Sequence, residues 1–84
     1  MKLRVTFAGR VLPDQGLPAE LDLPSGACID DALAALQAKI GDRTLSPAWL
    51  VIVNGAHLGT VARHAGRTLR DGDELLLLAP VAGG

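Results

Sequence analysis

Aromatic side chains are nearly missing from this chain: Phe7 and Trp49 are the only two, and there is no tyrosine. The interior must therefore be filled by Leu, Val, Ile and Ala, which leaves few stacking surfaces. An excess of charge is missing as well. Eight basic and nine acidic side chains leave a formal net charge of −1, so the electrostatic footprint that attracts a phosphate backbone is lacking and no nucleic-acid partner is expected. A single cysteine, Cys28, excludes an internal disulfide and fits a reducing compartment. No run approaches the roughly 20 apolar residues that span a bilayer. The N-terminus alternates Lys2 and Arg4 with Leu3 and Val5, where a secretory leader would be continuously apolar. No membrane partner is expected, and the expected compartment is the cytoplasm. His57 and His64 have no second pair of ligands at metal-site spacing, so no metal is expected. Nor does the chain carry a Ser/His/Asp arrangement, a phosphate loop or a dinucleotide fingerprint.

What is present is a strongly patterned set of short elements. At 84 residues the chain has room for one hydrophobic core. Leu3, Val5 and Phe7 alternate with Lys2, Arg4 and Thr6, the period-two pattern of a half-buried strand over Lys2 to Ala8. Pro13, Asp14, Gly16 and Pro18 mark Arg10 to Pro18 as the returning loop or turn, and a second strand is expected near Ala19 to Leu23. Ile29, Leu33, Leu36 and Ile40 recur at helical spacing. Asp30 and Asp31 suit the first turn of that helix, Lys39 its last, and Gly41 its end. The cap falls on Cys28, a weak capping side chain, which leaves Asp31 to help satisfy the free amides.

Trp49 to Val53 forms an apolar run, and Asn54-Gly55 supplies the two positive-φ residues of a tight hairpin leading into a short fourth strand. Asp71-Gly72-Asp73 is a turn signal before a last strand over Glu74 to Ala79, which Pro80 stops. The expected fold is α+β: a mixed sheet of four or five strands packed on one main helix, the β-grasp (ubiquitin-like) arrangement. Residues 1–80 form the domain. Val81-Ala82-Gly83-Gly84 is expected to be a flexible tail.

At this point the residues resemble a known family, the MoaD/ThiS group of ubiquitin-like sulfur carriers, nearest to the small subunit of molybdopterin synthase. The resemblance covers essentially the whole chain. It is carried by Phe7-Ala8-Gly9-Arg10, by Val53-Asn54-Gly55, and by Leu69-Arg70-Asp71-Gly72-Asp73-Glu74-Leu75 leading to Ala79-Pro80-Val81-Ala82-Gly83-Gly84. The last block is the specific part. Thiamine-pathway carriers of this group place an Asn-Gly turn within the first few residues, and the strand Lys2 to Ala8 has none, which favours the molybdopterin branch.

The resemblance implies that the reacting group is the terminal carboxylate of Gly84. A carboxylate is a poor acyl donor, so the family's chemistry activates it as an acyl-adenylate on an adenylating, ubiquitin-activating-like enzyme that consumes ATP. Attack by a persulfide sulfur then leaves a thiocarboxylate, a nucleophilic sulfur on the carrier itself. In the molybdopterin case that sulfur passes to a pterin precursor held by the large synthase subunit. The carrier would bind no cofactor and act as a co-substrate and small subunit of a sulfurtransferase complex, with catalysis residing in its partners. Pro80, Val81, Ala82 and Gly83 would enter the partners' active sites beside Gly84, where a Cβ on the terminal glycines would meet walls shaped for bare backbone. Ordering such a tail costs about 1–2 kcal/mol per residue, which the body must offset by docking. The expected docking face is the sheet surface next to the tail, with Trp49 to Val53 and Leu75 to Leu78 as candidates; an all-apolar run does not reveal which side chains point outward.

Other readings compete with this one. Cys28 could relay sulfur, but one cysteine at a helix start is expected to be a small buried residue. Arg63, Arg67 and Arg70 could meet an acidic partner, but are expected to be solvated loop residues. Asp71 and Asp73 are expected to be turn formers rather than an acid/base pair. Leu75 to Leu78 is expected to be core. For the whole protein, the alternatives are a sulfur donor for thiamine, cysteine or another sulfur-containing metabolite, a ubiquitin-like modifier joined through Gly84 to lysines, and an interaction module with an incidental tail.

Overall fold

The computed structural model describes residues 1–8, 19–41 and 45–79. The expected loop over Arg10 to Pro18, Pro80 and the expected tail Val81 to Gly84 lie outside the described residues. Five strands and one helix follow in order: β1 (Lys2–Ala8), β2 (Glu20–Asp22), α1 (Ile29–Ile40), β3 (Leu50–Val53), β4 (Ala56–Thr60) and β5 (Glu74–Leu78). They form one mixed sheet in the order β2-β1-β5-β3-β4. The parallel pair β1–β5 lies at its centre, in register from Arg4↔Glu74 to Ala8↔Leu78, while β2, β3 and β4 pair antiparallel.

Alternation decides what each strand buries. Leu3 and Val5 of β1, Leu21 of β2, Val51 and Val53 of β3, and Leu75 and Leu77 of β5 point to one face and are buried. Helix α1 covers that face with Ile29, Ala32, Leu33, Leu36 and Ile40. Its start has the expected chemistry: Asp31 Oδ2 accepts from the Cys28 amide at 2.9 Å and from its thiol at 3.4 Å. The Cys28 amide, first among its contacts, and then the thiol hold the Asp31 carboxyl below the ordinary carboxylate value. The end is marked by Gly41, at φ +63°, whose amide donates to the Gln37 carbonyl.

The last strand differs from its expectation. Leu75 and Leu77 are core, but Leu76 and Leu78 are half-buried and lie on the opposite face. A single helix covers one side of a sheet only, so a continuous apolar run inside it must leave alternate side chains uncovered. Cys28 is likewise half-buried rather than enclosed, because it sits at the mouth of the helix.

The turn at 71–73 ties three strands together at one end of the sheet. The Lys2 amide donates to Asp71 Oδ1 at 2.7 Å and the Arg4 amide to the Asp73 carbonyl at 2.9 Å, fixing the entry of β1. Asp73 is buried, and its carboxylate accepts from Asn54 Nδ2 and from the Arg70 amide, each at 2.9 Å. Asn54 in turn accepts from the Glu74 amide through Oδ1 at 2.9 Å. These bonds, the Asn54 amide foremost and then the Arg70 amide, outweigh burial and hold the Asp73 carboxyl below its ordinary value, with help from the charges of Arg67 and Arg70. A depressed folded-state value contributes stability above the unfolded value of 3.8, lost as pH falls through the folded value. Asp73→Ala is therefore expected to lose about 1–2 kcal/mol at pH 7. Urea melts should show that deficit shrinking as pH falls below the unfolded value of 3.8, where the unfolded chain takes up a proton the folded carboxylate resists.

Candidate functional site: the open sheet face and the exit of the central strand

Among the described residues, the face away from α1 is the one extended surface the helix leaves uncovered. The registers Leu50↔Leu78 and Ile52↔Leu76 place four half-buried aliphatic side chains side by side across β3 and β5. The parallel pairing adds Thr6 next to Leu76 and Ala8 next to Leu78. At the far end lies a depression of about 230 Å³ lined by Thr6, Ile52, Asn54, Gly55, Glu74 and Leu76. Glu74, at its border, pairs with Arg4 at 3.6 Å, both side chains exposed, a contact that water screens and that adds little stability. A larger hollow of about 540 Å³ lies between β1 and β2 and includes Arg4, Thr6, Glu20 and Glu74. Its lining carries the charges of Arg4, Glu20 and Glu74, whereas the surface over β3 and β5 is apolar and is the candidate docking face.

The sheet also fixes the last described residue before Pro80. Beyond Leu78 the Ala79 amide donates to the Ala8 carbonyl at 2.8 Å, and Ala79 is buried. The described chain therefore ends on the central strand, beside the Leu50–Leu78 end of the open face. Pro80, Val81, Ala82, Gly83 and Gly84, the residues to which the resemblance assigns the chemistry, lie outside the described residues.

The remaining candidates are structural. Cys28 caps α1 and lies next to Thr68 through an isolated bridge, away from the open face. Among the described residues no group of three or more His, Cys, Asp or Glu side chains gathers as a metal site would require. Also among them, no helix is long and apolar enough to cross a membrane. Arg63 and Arg70 are exposed and Arg67 half-buried; the charges of the latter two act on Asp73, a service to the 71–73 turn rather than to a ligand. Trp49 ends just before β3 and packs edge-on against Phe7 with ring centroids 6.2 Å apart.

Sequence reasoning located this surface but not its facing: the Trp49–Val53 and Leu75–Leu78 runs were both candidates, and only the pairing partners of β5 separate Leu76 and Leu78 from Leu75 and Leu77. It also missed the contact between Asp30 and His64, which are 34 residues apart and 2.7 Å from each other.

No curated protein and no solved structure gives a significant match to the chain. The ThiS family model, however, matches residues 5–84, from within β1 through the terminal Gly-Gly. With one helix on a five-stranded mixed sheet around a parallel β1–β5 pair, the chain has the β-grasp fold and belongs to the ThiS family of ubiquitin-like sulfur carriers.

Proposed function

We propose that the chain is the sulfur-donating co-substrate and small subunit of molybdopterin synthase, acting through the carboxylate of Gly84. An activating partner joins that carboxylate to the α-phosphate of ATP and releases pyrophosphate. A persulfide sulfur then attacks the acyl carbon and AMP leaves; a second thiol of the partner system cleaves the S–S bond, leaving the thiocarboxylate. Two features support the reading. The central strand β5 (Glu74–Leu78) is followed by Ala79, whose amide is anchored on the Ala8 carbonyl, directly before Pro80-Val81-Ala82-Gly83-Gly84 in the sequence. The choice of the molybdopterin branch rests on β1, an unbroken seven-residue strand with no Asn-Gly turn.

The domain contributes surface rather than catalytic side chains. Leu50, Ile52, Leu76 and Leu78 offer an apolar patch on which both the adenylating enzyme and the large synthase subunit could seat the body, while residues 81–84 reach the reacting centre. Burying such a patch releases ordered water and offsets the cost of fixing the tail.

The test is labelled pyrophosphate exchange into ATP by the cognate activating enzyme. Exchange should depend on this chain and vanish when Gly83-Gly84 is deleted; exchange undiminished by the deletion contradicts the proposal. Formation of lysine-linked adducts in place of a thiocarboxylate would favour the modifier role. For the docking face, Leu76→Asp is expected to weaken capture by that enzyme by about tenfold or more. Thr6→Arg, an exposed position on the same face, should do the same without disturbing the core. Unchanged affinity in both variants, with unchanged melting, would place the interface elsewhere.

A further inference from the structure

The His64 ring is enclosed, with its side chain 10% exposed, yet both nitrogens face acceptors. Nδ1 lies 2.8 Å from the Thr60 carbonyl and Nε2 lies 2.7 Å from Asp30 Oδ1. Neither a carbonyl nor a carboxylate has a proton to give. A neutral imidazole carries one N–H and would turn a bare lone pair toward one of these oxygens; only the imidazolium donates to both. The contact also bridges distant parts of the chain, since Asp30 stands in the first turn of α1 and His64 follows β4.

What the contact holds in place is the outer edge of the sheet. Among the described strands β4 lies at the edge of the sheet beyond β3, and its free side would present unpaired backbone groups. The segment after it folds back along that side: the Ala65 amide donates to the Leu58 carbonyl at 2.9 Å, and Gly59 bridges to His64. The Val61 and Ala62 amides donate to the Trp49 and Pro47 carbonyls at 2.9 and 3.1 Å.

We propose that His64 and Asp30 form a proton-dependent latch that closes the 61–65 segment over the β4 edge, and that loss of the ring proton loosens it. Burial alone pushes the His64 ring down. The Asp30 side chain and the carbonyls of Thr60 and Val61 outweigh it, and the net direction is upward. A raised folded-state value means that the contribution to stability is complete below the unfolded value of 6.5 and is lost as pH rises through the folded value. Among the described residues the other charged or titratable groups nearby do not compete for the ring. Asp31, next along α1, is taken by Cys28. Arg63, on the latch segment, has an exposed side chain and gives its carbonyl to the Thr60 amide, and His57 on β4 is exposed.

The test follows the His64 ring by NMR and the Val61, Ala62 and Ala65 amides by hydrogen exchange from pH 5.5 to 8.5. In the wild type His64 should titrate above about pH 6.5, and protection of these amides should fall by about threefold or more across that titration, with Leu75 and Leu77 unaffected. Asp30→Ala should remove the pH dependence and leave the segment open throughout. Asp30→Asn should also remove it but keep the segment closed, because a carboxamide can donate to the bare ring nitrogen or accept from its N–H. A ring that titrates at or below the ordinary histidine value, or protection that responds to pH in Asp30→Ala as it does in the wild type, would overturn the proposal.

Discussion

Gly84→Ala is expected to slow acyl-adenylate formation by at least about a hundredfold, the equivalent of about 2.7 kcal/mol of transition-state stabilisation, while the melting curve stays where it was. The reason is geometric. In the proposed reaction the acyl carbon belongs to residue 84, so any Cβ there would stand one bond from the carbon attached to the acyl group and would have to fit the slot that positions it against ATP. Misplacing reacting atoms by an ångström costs orders of magnitude in rate. Stability should not respond, because among the described residues the last buried one is Ala79, five positions before Gly84. Single-turnover pyrophosphate release measures the effect. A normal rate with Gly84→Ala would mean that the tail does not thread a narrow site. A matching loss of thermal stability would mean that the glycine serves the fold.

The second large effect concerns the fold itself. Gly59→Ala is expected to cost about 3 kcal/mol or more, a drop in melting temperature of more than about 12 °C for a domain of this size. Gly59 has φ +140°, a conformation that side-chain-bearing residues rarely adopt, and its own face is occupied: an added Cβ would overlap the Arg63 carbonyl oxygen and stand 2.8 Å from the His64 Cα. Both obstacles are backbone and cannot swing away. The register helps to explain the demand. Between Val51↔Gly59 and Ile52↔His57 the pairing shifts, leaving Leu58 as an extra residue on β4. That bulge lets Leu58 pack against the core and lets the following turn fold back on the strand. Differential scanning calorimetry at pH 7 checks the figure; a loss below about 1 kcal/mol would mean that the 60–64 turn can yield.

Much of this fold was legible in the residues because the local signals are redundant. Helix α1 was bounded by its apolar spacing, by Asp30 and Asp31 at one end and by Gly41 at the other, and it runs over Ile29–Ile40 as expected. Asn54-Gly55 required two positive φ angles and has them, at +49° and +84°. What was not legible depends on contacts between distant residues. The outward facing of Leu76 and Leu78 follows from pairing with Thr6, Ala8, Ile52 and Leu50, none of which is adjacent in the chain. Asp73 read as a turn former because it stands beside Gly72; its buried bond to Asn54 needs two turns brought together. His64 was weighed only against metal binding, and nothing in its neighbourhood announced a partner on α1. The carbonyl of Thr60 was within local reach, but the carboxylate of Asp30 was not.

The tail stands apart, since its chemistry is argued from residue types and family membership rather than from position. Gly83-Gly84, the anchored strand β5 and the apolar face beside that strand's end are consistent with the proposed carrier, in which the body docks and the terminus reacts. The most direct measurement of that claim is the intact mass of the chain after incubation with ATP, its activating enzyme and a persulfide donor. Replacement of one carboxylate oxygen by sulfur should add about 16 Da at the terminal residue. A mass that remains unchanged while the same enzyme turns over ATP in the presence of the chain would contradict the account.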